Sequence, residues 1–165
     1  MISLKVDDIK VFMSNLLVHK VFDDFYLSEM TIHTSNELYI SGKLNQNFYS
    51  SEELEILNGR KYATWAENKA FAFSFVKGSK LPLSIKIVFL LSDSNALELL
   101  NKSGVSLNAS DINGFFLNVR YEQGNLLLTT GTSIKVFTMD KTLENTWDQD
   151  VKLFLKNNNI TWEEI

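Results

Sequence analysis

The segment that says most about the architecture runs from Leu83 to Gly104 and reads LSIKIVFLLSDSNALELLNKSG. Its first nine residues alternate between apolar and other side chains and end apolar on both faces, which predicts a strand in the middle of a sheet. Ser92 or Asp93 can then cap a helix over residues 93–102 that stops at Gly104. A strand followed at once by an amphipathic helix predicts a fold that contains both.

Comparable patterns predict a helix and a hairpin earlier in the chain. Apolar residues recur with helical spacing over residues 8–18, behind an acidic pair that can cap the helix. Residues 25–34 and 37–44 are rich in Tyr, Thr, Ile and Leu and predict a β-hairpin. The apolar positions of the first of these strands change parity near Ser28 and Glu29, which predicts a bulge there.

The rest of the chain continues to alternate between helices and strands. Ser50 and Glu53 match a capping box and predict a short helix that stops at Asn58-Gly59. Three Phe residues alternate with other side chains over 71–76, which predicts a strand joined to the next one by a hairpin turn at 77–80. Further strands are predicted at 2–6, from 115, from 126 and over 134–138, followed by a helix from Asp140 to about Lys156.

The predicted fold class is α+β, with a mainly antiparallel sheet and about four helices. A length of 165 residues predicts a single domain over residues 1–165. The same elements can be read as two βαβββ repeats in the halves 1–80 and 81–165. A doubled βαβββ unit is similar in architecture to one domain of the sliding-clamp fold of DNA processivity factors. Two unrelated halves of one α+β sheet are the alternative interpretation.

Composition and charge exclude several classes of function. The chain has 16 Lys and Arg against 20 Asp and Glu, a net charge of −4, and no Cys. The absence of Cys excludes disulfides, thiolate zinc sites and cysteine nucleophiles, and we expect neither a metal nor a cofactor. No apolar run is long enough to span a membrane, and residues 1–10 lack the apolar core of a signal peptide, so we expect a cytoplasmic protein. An acidic chain with two Arg lacks the electrostatic footprint of a nucleic-acid binder.

A local positive stretch contains the candidate ligand-binding residues. Residues 68–92 include four Lys but no acidic side chain. The turn Lys77-Gly78-Ser79-Lys80 can offer backbone N–H groups and two ammonium groups to a phosphate or carboxylate, with Arg60 as a helper. It lacks the glycine and lysine spacing of a P-loop. A solvated hairpin tip whose Lys residues discourage edge pairing is the alternative interpretation.

A run of hydroxyl side chains from Thr129 to Ser133 offers a further candidate. A hydroxyl in this run could act as a nucleophile only with a base, for which His19 and His33 are the candidates. Neither His lies in a recognisable motif, and Thr is a common strand residue. Ordinary strand structure therefore explains the run without an activity, and we predict no catalytic residues.

Three parts of the sequence together resemble one known family. They are Met1–Lys5 leading into Asp7-Asp8-Ile9, Phe75-Val76-Lys77-Gly78 followed by Pro82-Leu83, and Thr130-Gly131-Thr132-Ser133 through Phe137 to Asp140-Lys141. They resemble a family of small Firmicutes proteins catalogued as a domain of unknown function, family 5721. The resemblance covers essentially the whole chain, so it implies a single domain. Because the family has no assigned active site, ligand or partner, no residue role follows from it.

We therefore interpret the chain as a non-enzymatic interaction or assembly module. The reasons are the absence of a catalytic constellation and an aromatic content of 12 Phe, five Tyr and three Trp, enough to leave an exposed apolar patch. A protein partner or a homo-oligomer is the expected interaction. The alternative is a small-anion or nucleotide-binding module that uses the turn at residues 77–80.

Overall fold

The computed structural model of the chain describes residues 1–78 and 80–165. Strands and α-helices follow one another as β1 (Ser3–Val6), α1 (Ile9–Leu17), β2 (Tyr26–His33), β3 (Glu37–Ser41), α2 (Ser51–Leu57), α3 (Trp65–Val76), β4 (Ser84–Leu90), α4 (Asp93–Ser103), β5 (Ile112–Glu122), β6 (Asn125–Ile134), α5 (Thr142–Asn157) and β7 (Trp162–Glu164). Short 3₁₀ turns occupy Gln46–Phe48 and Ala109–Asp111. The predicted α+β class is confirmed.

All of these strands belong to one sheet with the order β3-β2-β4-β5-β6-β1-β7, in which every neighbouring pair is antiparallel. Strand β4 pairs with β2 on one side and β5 on the other, so the predicted central position is confirmed. Its Ile85, Ile87 and Phe89 are buried, whereas Lys86 is exposed. The sheet therefore has one apolar face and one face that contacts water.

Helices α1, α3, α4 and α5 cover the apolar face. Their buried side chains form one hydrophobic cluster with the buried residues of the strands. Trp65 of α3 packs edge-on against Phe89 of β4, with ring centroids 5.3 Å apart, and its indole N–H donates to the carbonyl oxygen of Leu16 at 2.8 Å. The other side of the sheet, called the open face below, carries the exposed Lys86 and Arg120.

Short-range sequence signals account for several helix starts and for the first hairpin. Asp8 caps α1 by accepting a hydrogen bond from the Val11 N–H at 3.1 Å. Ser50 and Glu53 form the predicted capping box of α2. The register between β2 and β4 shifts at Ser28, so the predicted bulge is confirmed. Each of these signals acts within a few residues, which is why it can be recognised without the tertiary structure.

The predicted strand over residues 71–76 is wrong, because these residues form the second half of α3. A capping box between Thr64 and Glu67 starts the helix. Trp65 and Ala72 are buried at helical spacing, whereas Phe71 is 61% exposed. Phe therefore alternates with small residues at the two-residue period that is typical of a strand, although these residues form a helix. Because α3 ends at Val76 and the next strand is β4, Lys77, Gly78 and Lys80 lie between a helix and a strand and not in a hairpin turn, and Ser79 of the predicted turn lies outside the described residues.

The predicted strand over residues 134–138 is also wrong. Strand β6 ends at Ile134, and the chain then runs to α5 without regular structure. Each half therefore has the order βαββ followed by a helix, and the two βαβββ repeats do not form. The strand arrangement is not duplicated either, because β4 is paired with β5 whereas β1 is separated from β2 by three strands.

Candidate functional site

A cleft of about 380 Å³ lies between α4, α5 and the connection from α1 to β2. It is called the α4–α5 cleft below. Its lining consists of Val21, Asp24, Phe25, Leu91, Asn95, Glu98, Leu99, Lys102, Trp147, Asp150, Val151 and Phe154. The volume falls in the range of sites that accept a small ligand or a side chain of a partner.

Helical spacing explains how the sequence builds this cleft. The α4 residues that line it fall at positions i, i+3, i+4 and i+7 from Asn95, and the α5 residues follow the same spacing from Trp147. Residues with that spacing share one face of a helix. Each helix thus contributes one stripe of mixed apolar and charged side chains, and the two stripes line the same cleft.

The floor of the cleft is apolar and well packed. Leu99, Trp147 and Val151 are buried, and the Trp147 indole N–H donates to the carbonyl oxygen of Phe116 at 3.0 Å. The rings of Phe25 and Phe154 meet edge-on with centroids 5.5 Å apart. Because the indole N–H already donates to a carbonyl oxygen of β5, the floor can bury an apolar group without leaving a donor unpaired.

The rim of the cleft is acidic. Asp24, Glu98 and Asp150 supply three carboxylates, and Lys102 supplies one ammonium group. The Lys102 ammonium group pairs with Asp150, so this ion pair joins α4 to α5. One positive and three negative groups leave the rim with a formal charge of −2. Such a rim attracts a cationic group and repels an anionic one.

A separate polar cluster, in which Asp148 and Thr130 are buried and the Met1 amino group is exposed, joins the residues before β1 to α5. The Met1 amino group lies 2.6 Å from a Glu144 carboxylate oxygen and 3.0 Å from Oδ2 of Asp148. Asp148 also accepts a hydrogen bond from the Thr130 hydroxyl. Desolvation acts to lower the pKa of the Met1 amino group, but hydrogen bonds and charges of the two carboxylates outweigh it and raise that pKa. Hydrogen bonds from the amino group and from Lys141 lower the pKa of Glu144.

Of the residues of the predicted anion site, the structure places Arg60 apart from Lys77, Gly78 and Lys80. Lys77 follows the last residue of α3, and Gly78 and Lys80 are exposed in the connection to β4, while Ser79 lies outside the described residues. Arg60 instead pairs with Glu67 in the first turn of α3. A helix of this length spans about 18 Å, so Arg60 is not brought to Lys77.

The ion pair between Arg60 and Glu67 affects the electrostatics at the start of α3. Desolvation acts to raise the pKa of the Glu67 carboxyl, but hydrogen bonds from Arg60 and Thr64 outweigh it and lower that pKa. The guanidinium group of Arg60 therefore stabilises the helix cap. The ion pair with Glu67 thus accounts for the position of Arg60 without a bound ligand.

The hydroxyl run of β6 is not adjacent to His33. Ser133 is paired with Gly114 at one end of β5, whereas His33 lies next to Ser84, which is paired with Glu122 at the other end. Eight residues of strand separate the two rows, about 27 Å. His33 therefore cannot act as a base for Ser133, and the Ser133 hydroxyl instead accepts a hydrogen bond from the Asn113 amide at 3.0 Å.

Sequence patterns do not predict two surface features of the structure. The α4–α5 cleft is formed by two helices about 50 residues apart in the chain. Sequence spacing indicates which residues share one face of each helix, but it does not predict that the two faces lie next to each other. The sequence predicts a strand over part of residues 135–141, KVFTMDK, whereas the structure exposes Phe137 (93%) and Met139 (85%) outside any strand. Lys residues at both of its ends were the available signal for a surface segment.

Two further observations concern metal-binding groups and membrane-spanning helices in the described residues. In residues 1–78 and 80–165, three or more His, Asp or Glu side chains do not converge on a point that could hold a metal ion. None of the helices described for this chain has the length and apolar character needed to cross a membrane.

Comparison with known proteins identifies one family. The model of a "Family of unknown function (DUF5721)" matches residues 15–163. Neither a curated protein nor a solved structure matches the chain. The match thus covers nearly all of the sequence and supplies no reaction or partner.

Proposed function

We propose a function for this chain, which belongs to the DUF5721 family of unknown function, from the geometry of its α4–α5 cleft. The protein is a non-enzymatic interaction module. Its cleft binds a segment of a partner protein in which an apolar side chain is flanked by Lys or Arg.

The observation that carries the proposal is an apolar floor surrounded by an acidic rim. Leu99, Trp147 and Val151 lie under the opening, and Asp24 and Glu98 stand on its rim. Burial of one large apolar side chain on such a floor contributes about 1.5–3 kcal/mol. Interfaces commonly draw most of their affinity from a few such anchors. The floor therefore supplies affinity for an apolar anchor.

The charge of the rim determines the specificity of the cleft for basic over acidic segments. Its formal charge of −2 comes from residues that contact water, so each favourable charge pair adds little affinity but raises the association rate. An acidic segment with the same apolar anchor meets repulsion instead. Two helices that line a groove also match the mode in which an apolar peptide face lies in a helical groove.

The test compares two synthetic peptides that share one central Phe. One peptide flanks it with two Lys on each side and the other with two Glu. We expect the basic peptide to bind at least about tenfold more tightly, measured by fluorescence anisotropy at 50 mM salt. Glu98→Lys should abolish most of this preference, whereas Glu55→Lys, on the exposed side of α2, should not change it.

Two outcomes would contradict the proposal. One is a failure of both peptides to bind at millimolar concentration. The other is an equal preference for the basic peptide in the wild type and in Glu98→Lys. Chemical shifts of the Trp147 indole N–H provide the location of binding, because this group lies in the floor of the cleft.

The second candidate function is binding of a small anion or nucleotide between α3 and β4. It is supported by the exposure of Lys77 and Lys80 on either side of Gly78. Arg60 is left out, because it is paired with Glu67. Titration with inorganic phosphate and with ATP, followed by calorimetry, tests this function. Loss of any binding signal in the double variant Lys77→Ala/Lys80→Ala is the expected result, and no heat in the wild type would contradict it.

A further inference from the structure

The segment at residues 135–141, here called the Phe137 loop, is a surface connection that exposes several apolar side chains. Phe137 is 93% exposed and Met139 is 85% exposed, with Val136 partly exposed beside them. Single exposed apolar residues are normal on a surface. Three within four positions of one short loop form a patch of the kind that marks an interaction site.

The Phe137 loop has the chemistry that the α4–α5 cleft requires. Its sequence KVFTMDK places the apolar residues between Lys135 and Lys141, and its formal charge is +1 with Asp140 included. Lys135 is exposed, and Lys141 remains 70% exposed beside Glu144. An apolar anchor flanked by ammonium groups thus complements an apolar floor with a rim of charge −2.

The loop does not occupy the cleft of its own molecule. Phe137 is nearly fully exposed and is not among the side chains that line the cleft. The loop and the cleft are therefore both open on one molecule, and a second molecule can join them. Because the two surfaces differ, their contact is heterologous, and repeated contacts generate a ring or a chain of copies.

We propose that the partner of the α4–α5 cleft is a second copy of this chain, which inserts Phe137 of its loop. This inference rests on the proposed function, since it names the partner of the same cleft. The contact consists of one short loop in one cleft, so the interface is small. Interfaces at the small end of the range are weak, and the association depends on protein concentration.

Complementation between two variants tests the proposal. Phe137→Ser removes the anchor but keeps the cleft, and Asp24→Lys/Glu98→Lys reverses two rim charges but keeps the loop. All three substituted side chains are exposed, so neither variant removes core packing. We expect wild type to associate with rising concentration in sedimentation velocity, and each variant alone to remain monomeric.

An equimolar mixture of the two variants provides the decisive measurement. It should give a 1:1 heterodimer in native mass spectrometry and no larger species, because one working cleft and one working loop remain in the pair. Phe71→Ser is the matched control, since it removes another exposed Phe and should associate like wild type. A mixture that stays monomeric, or single variants that associate like wild type, would overturn the proposal.

The proposal and the underlying function fail in different ways. If the basic peptide binds the cleft but the wild type remains monomeric up to millimolar concentration, self-association is contradicted and the interaction module stands. If neither peptide binds and the wild type remains monomeric, both are contradicted. Higher salt should weaken the association of wild type, because the contact pairs opposite charges at the surface.

Discussion

Asp148 shows how one residue couples the start of the chain to its last helix. Asp148 is only 5% exposed, and its side chain accepts a hydrogen bond from Thr130 and faces the Met1 amino group. Asp148→Asn should lower the free energy of unfolding by about 1–3 kcal/mol, since it weakens the pairing of the buried Thr130 hydroxyl and removes the charge that faces the Met1 amino group. Glu144→Gln, at a more exposed position, should cost less than about 1 kcal/mol. Urea unfolding of the two variants measures the difference, and equal losses would contradict it.

The same cluster predicts a dependence of stability on pH. The pKa of the Met1 amino group is raised above its ordinary value of 8.0, so its contribution is fully present below pH 8 and is lost as the pH rises through the folded-state pKa. The pKa of Glu144 is lowered below 4.5, so its contribution is lost as the pH falls below that value. Urea unfolding between pH 7 and 10 should show a decline that is smaller in Asp148→Asn. An identical decline in both proteins would contradict the assignment.

Substitution by Ala should have opposite effects on stability at Gly42 and at Gly131. A Cβ atom added at Gly42 would lie 1.7 Å from the backbone carbonyl oxygen of Leu27, so Gly42→Ala requires the backbone of β2 to move. At Gly131 the nearest atom would be 3.8 Å away, on Phe116, which is an ordinary contact. We expect Gly42→Ala to cost several kcal/mol, on the order of an overpacked core, and Gly131→Ala to be neutral or stabilising. Thermal unfolding distinguishes them, and a stable Gly42→Ala would contradict the close approach.

Among the secondary-structure elements, helix α3 is the one whose type the sequence pattern does not predict correctly. The caps of α1 and α2 and the bulge at Ser28 were predictable because their signals lie within a few residues. In α3 the Phe residues follow a two-residue period, while burial follows Trp65 and Ala72 at helical spacing. Apolar residues occur all around this helix, so periodicity alone favoured the strand. The α4–α5 cleft was missed for a related reason, because each helix stripe was visible but their contact is tertiary.

That assignment of α3 is open to a stability test. Phe71→Ser should change the free energy of unfolding by less than about 0.5 kcal/mol, because the ring is 61% exposed. Ala72→Leu should cost about 1–3 kcal/mol, because the added carbons enter a packed core. A strand over residues 71–76 would give the opposite order, with Phe71 buried. Guanidinium unfolding of both variants against wild type decides between the two arrangements.

At the scale of the whole molecule, the two sides of the sheet differ in what they can contact. The helical side contains the α4–α5 cleft and its acidic rim. On the open face, Lys86 lies directly opposite Arg120 across the β4 and β5 strands. Like charges in that position repel, and Glu29 and Glu122 neutralise them at 3.7 and 2.8 Å. A solvated face of paired charges opposes close packing of an apolar partner, which agrees with the proposal that the helical side binds the partner.

The charge pairs of the open face should contribute to stability in a way that depends on salt concentration. Glu122→Gln leaves Arg120 and Lys86 with one carboxylate between them and should lower the free energy of unfolding by up to about 1 kcal/mol at low salt. At 1 M salt the Debye length is about 3 Å, so the loss should nearly vanish. The double variant Glu122→Gln/Lys86→Gln should recover stability at low salt, because it removes the repulsion as well. A loss that is independent of salt would mean that Glu122 acts through packing, and the open face would then lose its electrostatic barrier to a partner.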